Sequence, residues 1–277
     1  MKNPYLPIPV VIKSARRETP GVKTFILQKR DRKPFNFEPG QIIAASLPGF
    51  GEAFFAPSTA DAGRRTFEIS VQRIGRVTSQ LHNLKAADQF GLRGPFGQGF
   101  DLKKITGQPL LLIAGGIGII PIRSLLRHLT DNFCLRYPPK IQLFYGARTY
   151  QDLLFKKEFN QWKKCLDLEV TLSKPYPDTD RGWRSHAGLL STVFKKTPPL
   201  TGGLAILCGP PIMFKVMVPK LLQIGFFESA IYLSIERRMQ CAGLTTCQHC
   251  GVGEHYVCQD GPVFNYAEMK DQPQFDA

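Results

Sequence analysis

The run PLLLIAGGIGIIPIRSLL, residues 109–126, decides how this sequence folds. Its first half is continuously apolar, as a strand buried on both faces of a parallel sheet must be. Its second half places apolar residues at helical spacing after a glycine-rich turn. Gly115, Gly116 and Gly118 would let the backbone approach a pyrophosphate at a helix start, where N–H groups are free. The alternative interpretation is that these glycines only allow strand and helix to pack closely.

Strand patterns alternate with helix patterns on the carboxyl side of this run. The segments KIQLFYGA, DLEVTLSK, LAILCGP and AIYLSIE predict strands, and DLLFKKEFNQWKKCL, GLLSTVFKK and PIMFKVMVPKLLQIG predict helices. Such an alternation predicts a doubly wound parallel α/β sheet, which binds ligands at the carboxyl ends of its strands. Two of these ends hold Arg148, Gly209 and Pro210. Cys208 lies there as well, either as a buried thiol or as a substrate-side contact.

The first hundred residues show β patterns only. The runs PVVIKSARR, VKTFILQK, GQIIAASL and TFEISVQR are separated by turn residues, which predicts a small barrel or sandwich. The segment GRVTSQLHNL then starts a helix pattern, where Gly75, Val77, Thr78 and Ser79 could offer donors to a phosphate. The alternative interpretation is that Thr78 or Ser79 caps the helix. A cap and a phosphate would bind the same N–H groups at the helix start.

Four cysteines lie close together near the end of the sequence. Cys241, Cys247, Cys250 and Cys258 have the spacing C-x₅-C-x₂-C-x₇-C. Four thiolates in a short glycine-rich loop suit a tetrahedral zinc or a Cys₄ iron–sulfur centre. The plant-type cluster loop, C-x₄-C-x₂-C with a distant fourth cysteine, is one residue shorter in its first gap. His249 and His255 are further candidate ligands, and structural thiols are the remaining alternative.

Composition limits the classes of protein that fit. With 277 residues, 43% of them hydrophobic and 21% charged, the chain suits two modest globular domains plus an appendage. The formal charge of +14 is spread over short clusters without interleaved aromatics, which disfavours a nucleic-acid binder and is typical of a solvated basic surface. Docking to an acidic partner, or steering of phosphorylated cofactors, is the second interpretation. No apolar stretch is long enough to span a membrane, and no signal-peptide pattern is present. We therefore expect a cytoplasmic protein with reduced thiols.

Six motifs together resemble the ferredoxin–NADP reductase superfamily, in the branch that carries a C-terminal 2Fe–2S cluster. They are GRVTSQL, GLRGPFGQGF, AGGIGIIPIRSLL, FYGARTYQDLLF, LCGPPIMF and SIERRMQC with the following cysteines and YVCQDGPVF. The branch includes sulfhydrogenase gamma subunits, a subunit of anaerobic sulfite reductases and electron-transfer subunits of dihydroorotate dehydrogenases. The resemblance implies a flavin-binding β-barrel at residues 1–104, an NAD(P)-binding α/β domain at 105–235 and a 2Fe–2S segment at 236–277.

The resemblance also assigns candidate site residues. Val77, Thr78 and Ser79 match the flavin phosphate segment, and Pro57, Ser58 and Thr59 lie where the family motif R-x-Y-S meets the flavin ring. Gly115, Gly116 and Gly118 match the dinucleotide turn, and Cys208, Gly209 and Pro210 match the strand end on the nicotinamide side. The four cysteines match the cluster ligands. The sequence departs from the R-x-Y-S motif, because Phe55 replaces its arginine and Pro57 its aromatic residue.

The resemblance implies an NAD(P)H-dependent flavin and iron–sulfur oxidoreductase, with FAD, a 2Fe–2S cluster and NAD(P)H as cofactors. We expect an electron-transfer subunit whose partner is a NiFe hydrogenase first, or else a sulfite reductase or another redox module. A free-standing reductase that uses a soluble ferredoxin and a zinc-stabilised nucleotide-binding regulatory protein are the alternatives. Lys174 and Arg181 either pair with a 2′-phosphate, which favours NADP, or are solvated loop charges.

Overall fold

A computed structural model describes residues 3, 5–59, 63–133, 140–177, 182–183, 185–241 and 243–275. Arg181, one of the two predicted 2′-phosphate partners, lies outside these residues. The described chain forms an antiparallel barrel followed by a sheet flanked by helices, as the sequence predicts. No helix of the described part is both long and apolar enough to cross a membrane.

The barrel consists of six antiparallel strands in the order β4-β3-β6-β1-β2-β5. A β-bridge joins Pro57, which follows β4, to Ile69 of β5, so the two ends of this strand order meet. Inward-facing residues such as Val10, Phe25 and Leu27 are fully buried, because alternate side chains of a strand point to one face. The strands are β1 Ile8–Thr19, β2 Val22–Lys29, β3 Ile42–Leu47, β4 Gly51–Phe55, β5 Thr66–Gln72 and β6 Gln89–Phe96, with helix α1 Arg76–Asn83 between β5 and β6.

The second sheet has seven strands in the order β10-β9-β8-β7-β11-β12-β15. All its pairs are parallel except the last, between β12 and β15. Its central strand is Leu110–Gly115. Residues Leu110 to Ala114 of this strand are at most 1% exposed, as the continuous apolar run predicts. The strands are β7 Leu110–Gly115, β8 Ile141–Ala147, β9 Asp167–Leu172, β10 Ser185–Ala187, β11 Leu204–Cys208, β12 Ile231–Ser234, β13 Gly251–Val252, β14 His255–Tyr256 and β15 Val263–Asn265, of which β13 and β14 form a separate hairpin.

Several helices are shorter than the sequence pattern predicts. They are α2 Leu102–Ile105, α3 Ile119–Phe133, α4 Phe159–Trp162, α5 Leu190–Val193, α6 Pro211–Gln223 and α7 Tyr266–Met269. The prediction of one long helix over DLLFKKEFNQWKKCL is wrong, since only Phe159–Trp162 is α-helical there. Leu153, Leu154 and Phe155 are buried in succession and Phe155 has a left-handed φ of 56°, so this segment buries a turn rather than one helix face.

The cysteine-rich segment is joined to both sheets. Its strand β15 pairs with the edge strand β12, and Val252, Val257 and Phe264 are buried in the same hydrophobic cluster as α6. On the barrel side, the backbone N–H of Gln98 donates to the carbonyl of Gly261 at 2.6 Å. The segment therefore has no core of its own, and the domain boundaries given above stay a prediction.

Candidate functional site

A cleft of about 770 Å³ lies at the carboxyl ends of the parallel strands, and we call it the sheet cleft. It contains six of the residues predicted from the sequence, which the chain brings together from three strand ends. These residues are Gly115, Gly116, Gly118, Arg148, Gly209 and Pro210. Apolar side chains of Leu189, Ile212 and Val216 form its outer wall. The predicted ligand edge of the sheet is thus a large and largely apolar cavity.

The two glycines after β7, Gly116 and Gly118, differ in their surroundings. Gly116 has a φ of 55° and a Cβ placed on it would meet no described atom within 4 Å, so its open side faces space that a ligand can use. A Cβ on Gly118 would lie 2.1 Å from the carbonyl oxygen of Cys208, so this glycine permits close packing of the turn on β11. The close-packing interpretation therefore applies to Gly118, and the approach of a pyrophosphate at Gly116 stays a prediction.

Two predicted cations differ in position. Arg148 lines the sheet cleft with 77% of its side chain exposed, and its Nε lies 3.7 Å from the Asp152 carboxylate. Lys174 is exposed outside the lining of the cleft, and its backbone N–H donates to the carbonyl of Arg148 at 2.9 Å. Lys174 is thus held next to the cleft by its backbone, and its pairing with a 2′-phosphate stays a prediction.

Cys208 ends β11 beneath the sheet cleft rather than in its wall. The residue is 1% exposed, and burial raises the pKa of its thiol despite a hydrogen bond with Ser234. A buried, protonated thiol is the arrangement expected of a core cysteine. A catalytic contact of Cys208 stays a prediction.

A second cleft of about 680 Å³ lies between the barrel and the sheet, and we call it the barrel cleft. Its barrel wall includes Phe54, Phe55 and Thr78, and its sheet wall includes Ile117, Ile120 and Pro121. The two clefts share four residues, namely Ile117, Ile235, Glu236 and Arg237. A planar ring in the barrel cleft would therefore border a ligand in the sheet cleft.

In the predicted phosphate segment, the Thr78 hydroxyl is occupied by the backbone at the start of its own helix, where it donates to the Gly75 carbonyl at 3.0 Å. The Thr78 side-chain oxygen accepts from the backbone N–H groups of Ile74 at 3.0 Å and Gly75 at 2.8 Å. Thr78 lines the barrel cleft, whereas Gly75, Val77 and Ser79 lie outside its lining. The capping interpretation holds for Thr78, and phosphate binding by the four residues stays a prediction.

Pro57, Ser58 and Thr59 follow β4 outside the lining of the barrel cleft. The carbonyl of Ser58 accepts from the Arg123 guanidinium at 2.5 Å, and the carbonyl of Thr59 accepts from the Ser124 hydroxyl at 2.7 Å. Arg123 and Ser124 belong to α3, so these bonds attach the barrel to the sheet. Ser58 is fully buried, which leaves flavin contact by the three residues a prediction.

Glu236, Arg237 and Arg238 were not identified from the sequence as site residues. They follow β12, and the rule that ligands bind at the carboxyl ends of parallel strands would have indicated them. Glu236 lies where the clefts meet, and although solvent reaches its side chain, the surrounding protein excludes enough water to raise the pKa of its carboxyl. The shared wall of the clefts is therefore charged.

The four cysteines form two hydrogen-bonded pairs and no disulfide. Burial alone would raise the pKa of Cys241, but hydrogen bonds from the backbone and thiol of Cys247 and from Thr246 lower it to about 6. Burial and the hydrogen bond with Cys250 raise the pKa of Cys258 to about 12. The charge of Cys241 also reaches Cys258, so the two pairs are neighbours.

The sequence allows two kinds of centre in the cysteine loop, a zinc ion and a 2Fe–2S cluster. Within the described residues, no group of three or more His, Cys, Asp or Glu side chains is arranged to hold a single metal ion. A binuclear cluster needs two thiolates on each of two irons, and two neighbouring cysteine pairs provide such a donor set. Backbone N–H groups of Thr246, Cys247 and Gly243 also point at the sulfurs, as they do around iron–sulfur clusters. The four cysteines are thus the donor set that a 2Fe–2S centre needs, and the choice of this centre over a zinc ion stays a prediction.

Known proteins resemble this chain over nearly its whole length. Residues 112–218 match the family model described as oxidoreductase NAD-binding domain. The chain is 35% identical to the sulfhydrogenase 2 subunit gamma of Pyrococcus furiosus, with 95% of this chain and 96% of the relative covered. It is 33% identical to a probable dihydroorotate dehydrogenase B (NAD(+)) electron transfer subunit of Methanocaldococcus jannaschii, with 93% of this chain and 89% of the relative covered.

Solved structures share the fold. The structure of NADH-dependent reduced ferredoxin–NADP oxidoreductase superposes with a TM-score of 0.74 at 21% identity, over 98% of this chain and 94% of that one. Phthalate dioxygenase reductase, described as a modular structure for electron transfer from pyridine nucleotides to [2Fe–2S], superposes with a TM-score of 0.61 at 19% identity, over 81% of this chain and 66% of that one. At these identities the likeness concerns the architecture of barrel and sheet.

Proposed function

Because this chain belongs to the ferredoxin–NADP reductase superfamily, in the family of sulfhydrogenase gamma subunits and dihydroorotate dehydrogenase electron-transfer subunits, we propose that it carries electrons within an oxidoreductase complex. Its cofactors in this proposal are NAD(P)H, a flavin and a 2Fe–2S cluster. The observation that carries the proposal is the order of the sites. The sheet cleft adjoins the barrel cleft, and the barrel cleft ends at Met239 and Gln240, next to Cys241.

This order suits the chemistry that the cofactors supply. A nicotinamide donates two electrons as hydride, a 2Fe–2S centre takes one electron at a time, and a flavin handles both kinds of step. The chain itself binds and positions these groups. Gly116 offers an open backbone to a dinucleotide, and Phe54, Phe55 and Ile120 offer apolar surface to a flat ring.

The cysteine loop would hold the cluster at the far end of this path. Its ligands in the proposal are Cys241, Cys247, Cys250 and Cys258. Cys250 and Cys258 are buried, whereas Cys241 and Cys247 are half-buried, so one side of the loop faces outward. An outward-facing cluster would be within reach of a docked redox partner.

We assign the partner, as part of this proposal, to a NiFe hydrogenase, since the chain is 35% and 34% identical to two sulfhydrogenase gamma subunits. A sulfite reductase or another redox module is the second choice. The net charge of +14 would attract an acidic partner surface. The proposal also includes the cytoplasmic location predicted from the sequence. Anaerobic affinity purification of the chain from its native host should co-purify hydrogenase subunits, and recovery of the chain alone would contradict the partner assignment.

The cofactor content of the purified chain tests the proposal itself. Anaerobic purification should yield one flavin, about two irons and a matching amount of acid-labile sulfide per chain. The competing function is a zinc-stabilised nucleotide-binding protein, which the similarity to sulfhydrogenase gamma and dihydroorotate dehydrogenase electron-transfer subunits disfavours. Stoichiometric zinc without iron or flavin would contradict the electron-transfer proposal.

A further inference from the structure

The described part of the sheet cleft contains a single accessible aromatic ring, which comes from outside the α/β domain predicted from the sequence. Among the described residues that line this cleft, Phe214 and Phe275 carry aromatic rings. Phe214 of α6 is 4% exposed and belongs to the core, whereas Phe275 is half-buried. Phe275 follows α7 in the cysteine-rich segment. The third part of the chain thus supplies a ring to the cleft of the second.

Hydrogen bonds and packing hold Phe275 in this position. Its backbone N–H donates to the carbonyl of Gln272 at 3.1 Å, and the N–H of Gln272 donates to the carbonyl of Met269 in α7 at 3.0 Å. The side-chain oxygen of Gln272 accepts from the backbone N–H of Glu254 at 3.4 Å, in the turn between β13 and β14. The Phe275 ring packs near the ring of Tyr266, with 6.2 Å between their centroids. The segment after α7 is therefore attached both to that helix and to the hairpin of the cysteine loop.

The residue before Phe275 shows which end of the sheet cleft the ring occupies. The carbonyl of Gln274 accepts from the guanidinium of Arg237 at 2.6 Å. Arg237 follows β12 and belongs to the wall that the two clefts share. Arg148 follows β8, which lies three strands away from β12 in the sheet order. Phe275 therefore lies at the end of the sheet cleft that borders the barrel cleft, away from Arg148.

We propose that the Phe275 ring packs against the nicotinamide half of a bound NAD(P)H. The inference rests on the proposed function, because it takes a pyridine dinucleotide as the occupant of the sheet cleft and a flavin as the occupant of the barrel cleft. A nicotinamide must reach the shared wall to pass hydride to a ring in the barrel cleft. An aromatic side chain beside that wall offers a flat apolar surface, and contact between two rings adds to the gain from burial.

The contact is confined to one half of one ligand. Phe275 lines the sheet cleft and is absent from the described lining of the barrel cleft, so its ring faces the dinucleotide rather than the flavin. The adenosine half of the dinucleotide would extend from the turn at Gly116 towards Arg148, away from the ring. A substitution of Phe275 should therefore affect only ligands that carry a nicotinamide.

Ligands with and without a nicotinamide test the proposal. The full chain, purified anaerobically with its cofactors, is titrated by calorimetry with NAD⁺, NADP⁺, ADP-ribose and 2′-phospho-ADP-ribose. The oxidised dinucleotides bind without reducing the flavin, and each ADP-ribose lacks the nicotinamide of the matching dinucleotide. F275A should weaken the tighter-binding dinucleotide roughly fivefold to tenfold. The matching ADP-ribose should bind F275A as it binds the unmodified chain.

Three further variants complete the test. F275Y keeps the ring and should bind the dinucleotide as the unmodified chain does. F275L keeps apolar volume without a ring, so it should lose a smaller part of the same affinity, and it tests the proposal if F275A does not fold. Phe227 is 79% exposed outside the described lining of both clefts, so F227A is the matched control and should leave all four affinities unchanged.

Two results would overturn the inference and leave the proposed function in place. One is unchanged dinucleotide binding in both F275A and F275L, and the other is an equal loss of affinity for the dinucleotide and for the matching ADP-ribose. An unmodified chain that binds neither NAD⁺ nor NADP⁺ would overturn the proposed function and this inference together.

Discussion

At the scale of single residues, glycines determine how close the dinucleotide turn comes to its neighbours. Gly118 lies against the carbonyl of Cys208, a backbone atom that has little freedom to move. Gly116 instead faces open space in the sheet cleft. The glycine pattern was recognised from the sequence, but the division of roles between the two glycines depends on β11, which is about 90 residues away along the chain.

We expect Gly118→Ala to destabilise the fold by about 2 kcal/mol, because its Cβ would lie 2.1 Å from the Cys208 carbonyl oxygen. The free energy of unfolding in urea measures this effect. Gly21→Ala is the matched control, since a Cβ at that position meets no described atom within 4 Å. Equal stability of the two variants would contradict the close approach.

Single cysteines also differ in what they contribute. Cys258→Ser should abolish most of the iron content of the anaerobically purified chain, because one iron would lose half of its protein ligands. Flavin content should remain. Cys165→Ser is the control, since Cys165 follows α4 and is remote in sequence from the cysteine loop. Iron content that is the same in both variants would exclude Cys258 as a ligand.

At the scale of elements, helix α3 connects the two sheets of the molecule. Arg123 on this helix is 1% exposed and forms ion pairs with Glu68 of β5 at 2.9 Å and with Glu158 at 2.6 Å. Its guanidinium also lies 4.5 Å from the centroid of the Phe155 ring. Because it also donates to the Ser58 carbonyl, Arg123 connects helix α3 to the barrel.

Arg123→Gln should destabilise the chain by about 3 kcal/mol, because it removes the buried cation that Glu68 and Glu158 share and leaves each carboxylate only its more exposed partner, Arg16 or Arg127. Arg127→Gln is the matched control, since Arg127 is 30% exposed and pairs with the same Glu158 at 3.2 Å. Arg127→Gln should lower the free energy of unfolding by about 1 kcal/mol or less. Urea unfolding measures both values, and a similar cost for the two substitutions would contradict the connecting role of Arg123.

The same ion pairs predict how stability depends on pH. Burial alone would raise the pKa of Glu68, but the hydrogen bond from Arg16 and the charge of Arg123 outweigh it and lower that pKa. The pKa of Glu158 is lowered in the same way, because hydrogen bonds from Arg123 and its charge outweigh burial. A carboxyl with a lowered folded pKa stabilises the fold above its unfolded value of 4.5 and loses this contribution as the pH falls further.

Urea unfolding between about pH 6 and about pH 3 should therefore show a loss of stability below about pH 4.5. The double variant Glu68→Gln and Glu158→Gln should show a smaller loss over this range, since it lacks the two titrating groups. An identical pH dependence of the variant and the unmodified chain would contradict the assignment to this cluster.

The sequence predicted elements well where burial alone determines them. The run from Leu110 to Ala114 is apolar because both faces of its strand are covered, and this pattern is local. The segment around Phe155 was predicted wrongly as a long helix, because its buried residues follow one another to meet Arg123 and the sheet. The positions of Ser58 and Thr59 likewise depend on bonds from α3, which no local pattern contains.

At the scale of the whole molecule, the two clefts and the cysteine loop follow one another in the order that the proposed electron transfer would need. The sheet cleft and the barrel cleft share the wall from Ile235 to Arg237, and the barrel cleft ends beside the cysteine loop. The motifs indicated the barrel, the α/β domain and the cysteine-rich segment. That the cysteine-rich segment lies against the other two depends on the pairing of β15 with β12 and on the contact of Gly261 with Gln98, which no local pattern contains.

The most direct measurement is an anaerobic visible spectrum of the purified chain, recorded before and after the addition of NADH or NADPH. The account predicts flavin bands and a broad iron–sulfur absorption at longer wavelength. One of the two nucleotides should bleach both, because electrons pass from the sheet cleft through the barrel cleft to the cysteine loop. A colourless chain that contains stoichiometric zinc, or a coloured chain that neither nucleotide bleaches, would contradict it.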